Sequence, residues 1–102
     1  MKILDLIVAA NQSISVTLDG VLWDLTIKAA RNTMAADVVR DGVTLVQGQR
    51  IVAGFPILPY RYLSLQGNFA ILTRDDELPW WEEFGRSQSL VYLTPAEVGI
   101  DD

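Results

Sequence analysis

Apolar and polar side chains alternate along SISVTLDGVLWDLTIK, residues 13–28, on both sides of Asp19-Gly20. Alternation of period two predicts strands that are half-buried, and Asp-Gly between them predicts a hairpin closed by a type I′ turn. A two-residue turn would pair Leu18 with Val21, Val16 with Trp23 and Ile14 with Leu25, all on one face. Ser13, Ser15, Thr17, Asp24 and Thr26 then share the other face with Leu22. A second Asp-Gly, Asp41-Gly42, joins MAADVVR to VTLVQG, but a two-residue turn there pairs Asp37 with Val46, so a bulge is needed to restore the alternation. ILDLIVA, NFAILT and SLVYLT supply further strands. Six or seven short strands with turns between them predict one all-β domain over residues 1–102, an antiparallel β-sandwich or small β-barrel.

Three stretches break this pattern. In AGFPILPYRYLSLQGN, Pro56 and Pro59 lack N–H donors and bias the residues before them towards extended backbone, which predicts an arm or edge rather than a central strand. If PYRYL is strand-like, Tyr60 and Tyr62 face one way, and either an interface or mere covering of the sheet edge accounts for them. In DDELPWWEEFG, Pro79 suits the first position of a helix, the acids favour its N-terminus and Gly85 suits its stop, so one short helix is expected near residues 79–84. TPAEVG repeats the logic, with Thr94 and Glu97 as a capping box and Gly99 as stop, ahead of a frayed acidic tail within 95–102.

Charge changes the picture at the C-terminal end. Residues 1–74 hold seven basic and five acidic side chains, and residues 75–102 hold one basic and eight acidic. An acidic segment of that kind repels phosphate backbones, so no nucleic-acid partner is expected. The N-terminal MKILDLIVAA is interrupted by Asp5, unlike the apolar region of a signal peptide, and IVAGFPILPY is too short and too broken by proline to span a bilayer, so no membrane role is expected.

Chemistry is sparse. The chain has no histidine and no cysteine, which removes the usual acid–base group and any thiolate or disulfide site. Lys2 and Lys28 sit in no nucleophile motif. Counted from Asp75, an EF-hand loop would need glycine at Trp80 and glutamate at Arg86. Gly48, Gly54 and Gly67 form no phosphate loop. No catalytic, cofactor-binding or metal-binding residue is therefore assigned, and the protein is expected not to be an enzyme and to need no cofactor.

The aromatic residues remain. On a helix Trp80 and Trp81 diverge by about 100°, so one is expected in the core and the other at its rim. Trp81, with Phe84 at i+3, is expected to pin the helix to the sheet. Tyr, Trp and Arg are enriched in interface hot spots. A small β-barrel module that stacks a carbohydrate or other apolar-faced ligand on Trp80, Trp81, Tyr60 and Tyr62 is the alternative reading.

NQSISVTLDG, DGVTLVQGQRIVAGFPILPYRYL, GNFAILT, PWWEEFG and LVYLT, in that order and spacing, resemble the baseplate plug family of contractile-tailed bacteriophages. Pro59, Tyr60, Arg61, Tyr62, Gly67, Asn68, Phe69, Pro79, Trp81, Phe84 and Gly85 match the family pattern, whereas Trp80 stands where it has a polar residue. The resemblance implies a structural protein of a phage or related prophage tail, assembled in the host cytoplasm and present in several copies in a symmetric baseplate. It would dock to hub, tail tube or neighbouring baseplate proteins. Pro59, Tyr60, Arg61, Tyr62, Asn68 and Trp80 are the candidate interface residues. Trp23, Pro79, Trp81, Phe84 and Gly85 are the candidate structural ones.

Overall fold

A computed structural model describes residues 2–31 and 33–98, apart from the side chains of Arg61 and Asp76. Among the described residues seven strands form two antiparallel sheets that share one core. β2 (Asn11–Leu18), β3 (Val21–Ala30), β4 (Thr33–Arg40) and β5 (Val43–Arg50) make a four-stranded meander in chain order. β1 (Lys2–Leu4), β7 (Ser89–Leu93) and β6 (Asn68–Leu72) make a three-stranded sheet with β7 in the middle. The sheets do not close into a barrel. Of the two architectures expected, the molecule takes the sandwich.

The first hairpin has the register that its alternation implies, with Leu18 opposite Val21, Val16 opposite Trp23 and Ile14 opposite Leu25. Its turn works because Asp19 and Gly20 both take left-handed backbone, φ 51° and 80°, the twist a type I′ turn requires. The inward side chains of β3, Val21, Trp23, Leu25 and Ile27, are all buried, and Leu22 is left in solvent. Against them pack Phe69, Ile71, Leu90 and Tyr92 from the other sheet, so the core is the interleaving of two alternating patterns.

The second hairpin carries the bulge. Val39 pairs with Thr44, but the register then shifts so that Val38 meets Val46 and Ala36 meets Gln49. Buried Val38 thereby keeps an apolar partner, and Asp37 is spared one. Its carboxylate instead accepts the Gly48 N–H at 2.6 Å and the Lys28 ammonium at 3.0 Å.

Three expected elements come out differently. The strand expected along ILDLIVA stops at Leu4. Beyond it the Gln12 carboxamide accepts the Ile7 N–H and donates to the Ile7 and Ala9 carbonyls, which substitutes a side chain for a neighbouring strand. PYRYL is not strand-like: Arg61–Ser64 is a 3₁₀ turn entered from extended Tyr60. The helix expected near 79–84 is a single 3₁₀ turn, Trp81–Glu83, and Pro79 precedes it in non-helical chain. Three residues cannot bury an amphipathic stripe, so this turn is positioned by its surroundings and not by its own periodicity.

At the C-terminal end Thr94 and Glu97 form the expected capping box. The Thr94 N–H donates to Glu97 Oε1 at 2.9 Å and the Glu97 N–H to Thr94 Oγ1 at 3.3 Å. The box closes one turn, with Val98 N–H on the Thr94 carbonyl. The expected stop at Gly99 and the acidic tail lie outside the described residues.

Candidate docking surface

The arm between β5 and β6 is fastened to the edge of β6 by backbone bonds. Gly54 N–H donates to the Ile71 carbonyl at 2.9 Å and Ile57 N–H to the Phe69 carbonyl at 2.7 Å. These bonds drive Ile57 and Leu58 into the core and leave Val52, Phe55, Pro56 and Pro59 on the outside. Together with one side of Leu58 they line an open groove of about 440 Å³. Phe55 is 66% exposed. A phenyl ring held in water on a fastened backbone is an unfavourable arrangement for an isolated chain and a favourable one for a partner that covers it.

Next along the chain, Tyr60 and Tyr62 are 60% and 66% exposed, and their rings stack with centroids 5.8 Å apart and planes at 12°. The chain reaches this contact through extended Tyr60 and the 3₁₀ turn that follows it. Each tyrosine limits the motion of the other, so less entropy is lost when a partner covers them. Pro59 is exposed beside them. Arg61 begins the turn, and its side chain lies outside the described residues.

Asn68 does not belong to this surface. It is 1% exposed. Its Oδ1 accepts the Leu58 N–H at 2.9 Å, and its Nδ2 donates to the Leu58 carbonyl at 3.0 Å and to Ser64 Oγ. A buried carboxamide satisfied on both sides fixes the base of the arm; it presents nothing to a partner.

The Trp doublet lies in another loop. Trp80 and Trp81 are both half-buried against the core, with ring centroids 6.3 Å apart, so the expected division into one core and one rim residue does not hold. The reason is backbone: Trp80 is extended and Trp81 starts the 3₁₀ turn, which allows both rings to lean inwards. Trp80 Nε1–H donates to Glu82 Oε1 at 2.9 Å. Phe84 is fully buried, and Gly85, at φ +79°, donates its N–H to the Gln88 carbonyl. Pro79 is buried at the entrance to the turn.

The organiser of this loop, missed by sequence reasoning, is Gln88. Buried, it accepts the Trp80 N–H at 2.8 Å and donates to the Leu78 carbonyl at 2.9 Å. Two acids of DDELPWWEEFG are engaged locally too, with Ser87 Oγ 2.6 Å from a Glu77 carboxylate oxygen and 3.3 Å from one of Glu83.

Tyr92 links the two sheets at the far end. Its hydroxyl lies 3.2 Å from both Asp19 Oδ2 and the Gln66 carbonyl. Burial, and then the Asp19 carboxylate that accepts its hydrogen bond, push this phenol up to about 12. Gly67 is required beside it, since a Cβ there would stand 2.5 Å from the Tyr92 ring and φ is +116°.

Compared with known proteins, the chain matches the family model described as cyanophage baseplate Pam3 plug gp18 over residues 1–95. No curated protein matches it.

Proposed function

The chain belongs to the cyanophage baseplate plug family, and from that premise we propose that it docks to hub, tail tube or neighbouring baseplate proteins through the arm between β5 and β6. Membership makes it a structural component of a phage tail baseplate, located in the virion. The observation that carries the finer reading is the run of exposed apolar and aromatic side chains on a fastened backbone, Val52, Phe55, Pro56, Pro59, Tyr60 and Tyr62. A partner gains their desolvation without first ordering the arm. Arg61, between Tyr60 and Tyr62 in the chain, is included in the proposed contact, and Trp80 supplies a second one at its own loop. Assembly takes place in the host cytoplasm, with several copies per symmetric baseplate.

The test is virion incorporation. Phe55→Asp and the double variant Tyr60→Ala/Tyr62→Ala alter exposed side chains, so the purified variants should melt close to the parent. Tails assembled with them should lack the protein, or lose it on dilution. Variants that fold and still enter tails at parental occupancy would refute docking through the arm.

A further inference from the structure

The two sheets present four edges, and three are blunted. β6 is covered by the arm through Gly54 and Ile57. β5 is broken by register shifts and carries Arg50. β1 is three residues long and begins with Lys2. The remaining edge is β2, NQSISVTL, eight residues in unbroken register with β3, with no charge, no proline and no bulge. An edge of this kind is a template for another strand.

In a two-residue hairpin the residues flanking the turn, Leu18 and Val21, form a hydrogen-bonded pair, and such pairs alternate along an antiparallel ladder. The bond from Ala29 N–H to the Ala10 carbonyl has the same parity. The N–H and C=O groups of Asn11, Ser13, Ser15 and Thr17 therefore point away from β3, and among the described residues no hydrogen bond to any of them is formed outside the strands. On the inward face of β2, Ile14 and Val16 are only half-buried, although their partners Leu25 and Trp23 are fully so. Beside its start, Ile7 and Val8 are 64% and 52% exposed, and Ile7 is held in place by Gln12.

We propose that β2 pairs antiparallel with β2 of a second copy of this chain, joining two four-stranded sheets into one of eight. In a two-fold pairing the residues nearest the axis meet their own copies, directly or diagonally, so a charge there would face its like. Of the three edges that the arm leaves uncovered, only β2 carries no charge, in a chain whose net charge of −5 opposes self-association elsewhere. With Ile14 opposite its own copy, Ser13 faces Ser15 and Asn11 faces Thr17 on the outer side, while Gln12 faces Val16 on the inner. All four outward-pointing residues then lie in hydrogen-bonded pairs. Asp19 falls opposite Ala9, so the first carboxylate beyond the strand also meets no like charge.

The test needs only the purified chain. Light scattering after size exclusion should give twice the 11.3 kDa protomer mass, with the amides of residues 13, 15 and 17 slow to exchange. Ser13→Lys points to solvent in the protomer and should leave the far-ultraviolet spectrum intact while converting the dimer to a monomer. Because the chain lacks cysteine, Ile14→Cys provides a register probe: position 14 faces itself in a non-hydrogen-bonded pair, and mild oxidation should crosslink most of the protein into dimers. A parent chain that stays monomeric at millimolar concentration, or a dimer indifferent to Ser13→Lys, overturns the proposal. Neither outcome bears on docking through the arm, which lies against β6 and is read out by virion incorporation.

Discussion

The indole of Trp23 on β3 stands edge-on to the phenyl ring of Phe69 on β6, with centroids 4.9 Å apart and planes at 81°. This contact joins the two sheets at the centre of the core, and both rings are fully buried. Arg40 lies over the indole, 5.9 Å from its centroid. Either ring cut to alanine should destabilise the fold by about 3–5 kcal/mol. The double variant should cost less than the sum by about 0.5–1.5 kcal/mol, the worth of an edge-to-face pair. Urea titrations of the three variants give the cycle, and full additivity would show that the rings are merely neighbours.

Trp80→Ala and Trp81→Ala should destabilise to a similar extent, about 2 kcal/mol each, since both rings are half-buried against the same core. Thermal or urea unfolding checks this, and a loss confined to Trp81 would restore the division expected from helical spacing.

Asn68→Ala would leave the Leu58 N–H and C=O without partners in a buried site. A loss of about 2–4 kcal/mol is expected, larger than for an exposed hydrogen bond because the orphaned groups cannot reach water. Hydrogen exchange at Leu58 and in the arm should speed up before the rest of the core responds.

Asp37 has its acidity raised first by the Gly48 N–H and then by Lys28, so its carboxyl titrates below its ordinary value of 3.8. A depressed carboxyl stabilises the fold above the unfolded value and loses that contribution as pH falls through the folded one. Asp37→Asn should therefore cost about 1 kcal/mol at neutral pH, mostly through Gly48 because the Lys28 pair is open to solvent. Stability curves for parent and variant should converge below pH 3.8.

For Tyr92 the sign is reversed. With its phenol raised from 10.0 to about 12, the folded chain keeps a proton that the unfolded chain releases. Its contribution is complete below pH 10 and drains away between pH 10 and 12. Tyr92→Phe should remove that part of the alkaline slope, measured by denaturant unfolding across this range.

The local elements were largely legible in the sequence. Strict alternation around Asp19-Gly20 determined the register of the first hairpin, because a slip of one residue would turn Trp23, Leu25 and Ile27 into water. The need for a bulge could be read from Asp37 facing Val46, and the capping box from Thr94 and Glu97, since each depends on residues close in sequence. Family membership was legible in the ordered motifs.

What only the tertiary structure decided is the shape of the irregular segments. Three carboxamides do that work, Gln12 on Ile7, Asn68 on Leu58 and Gln88 on Leu78 and Trp80, each bonding backbone N–H and C=O as a neighbouring strand would. They made a loop of the expected first strand beyond Leu4, placed Asn68 inside, and let both tryptophans lean on the core. Nothing in the chain's periodicity marks a glutamine or asparagine as buried. Its partners lie three to ten residues away on backbone of no regular form, and the cost of burying it is offset only once that backbone has arrived.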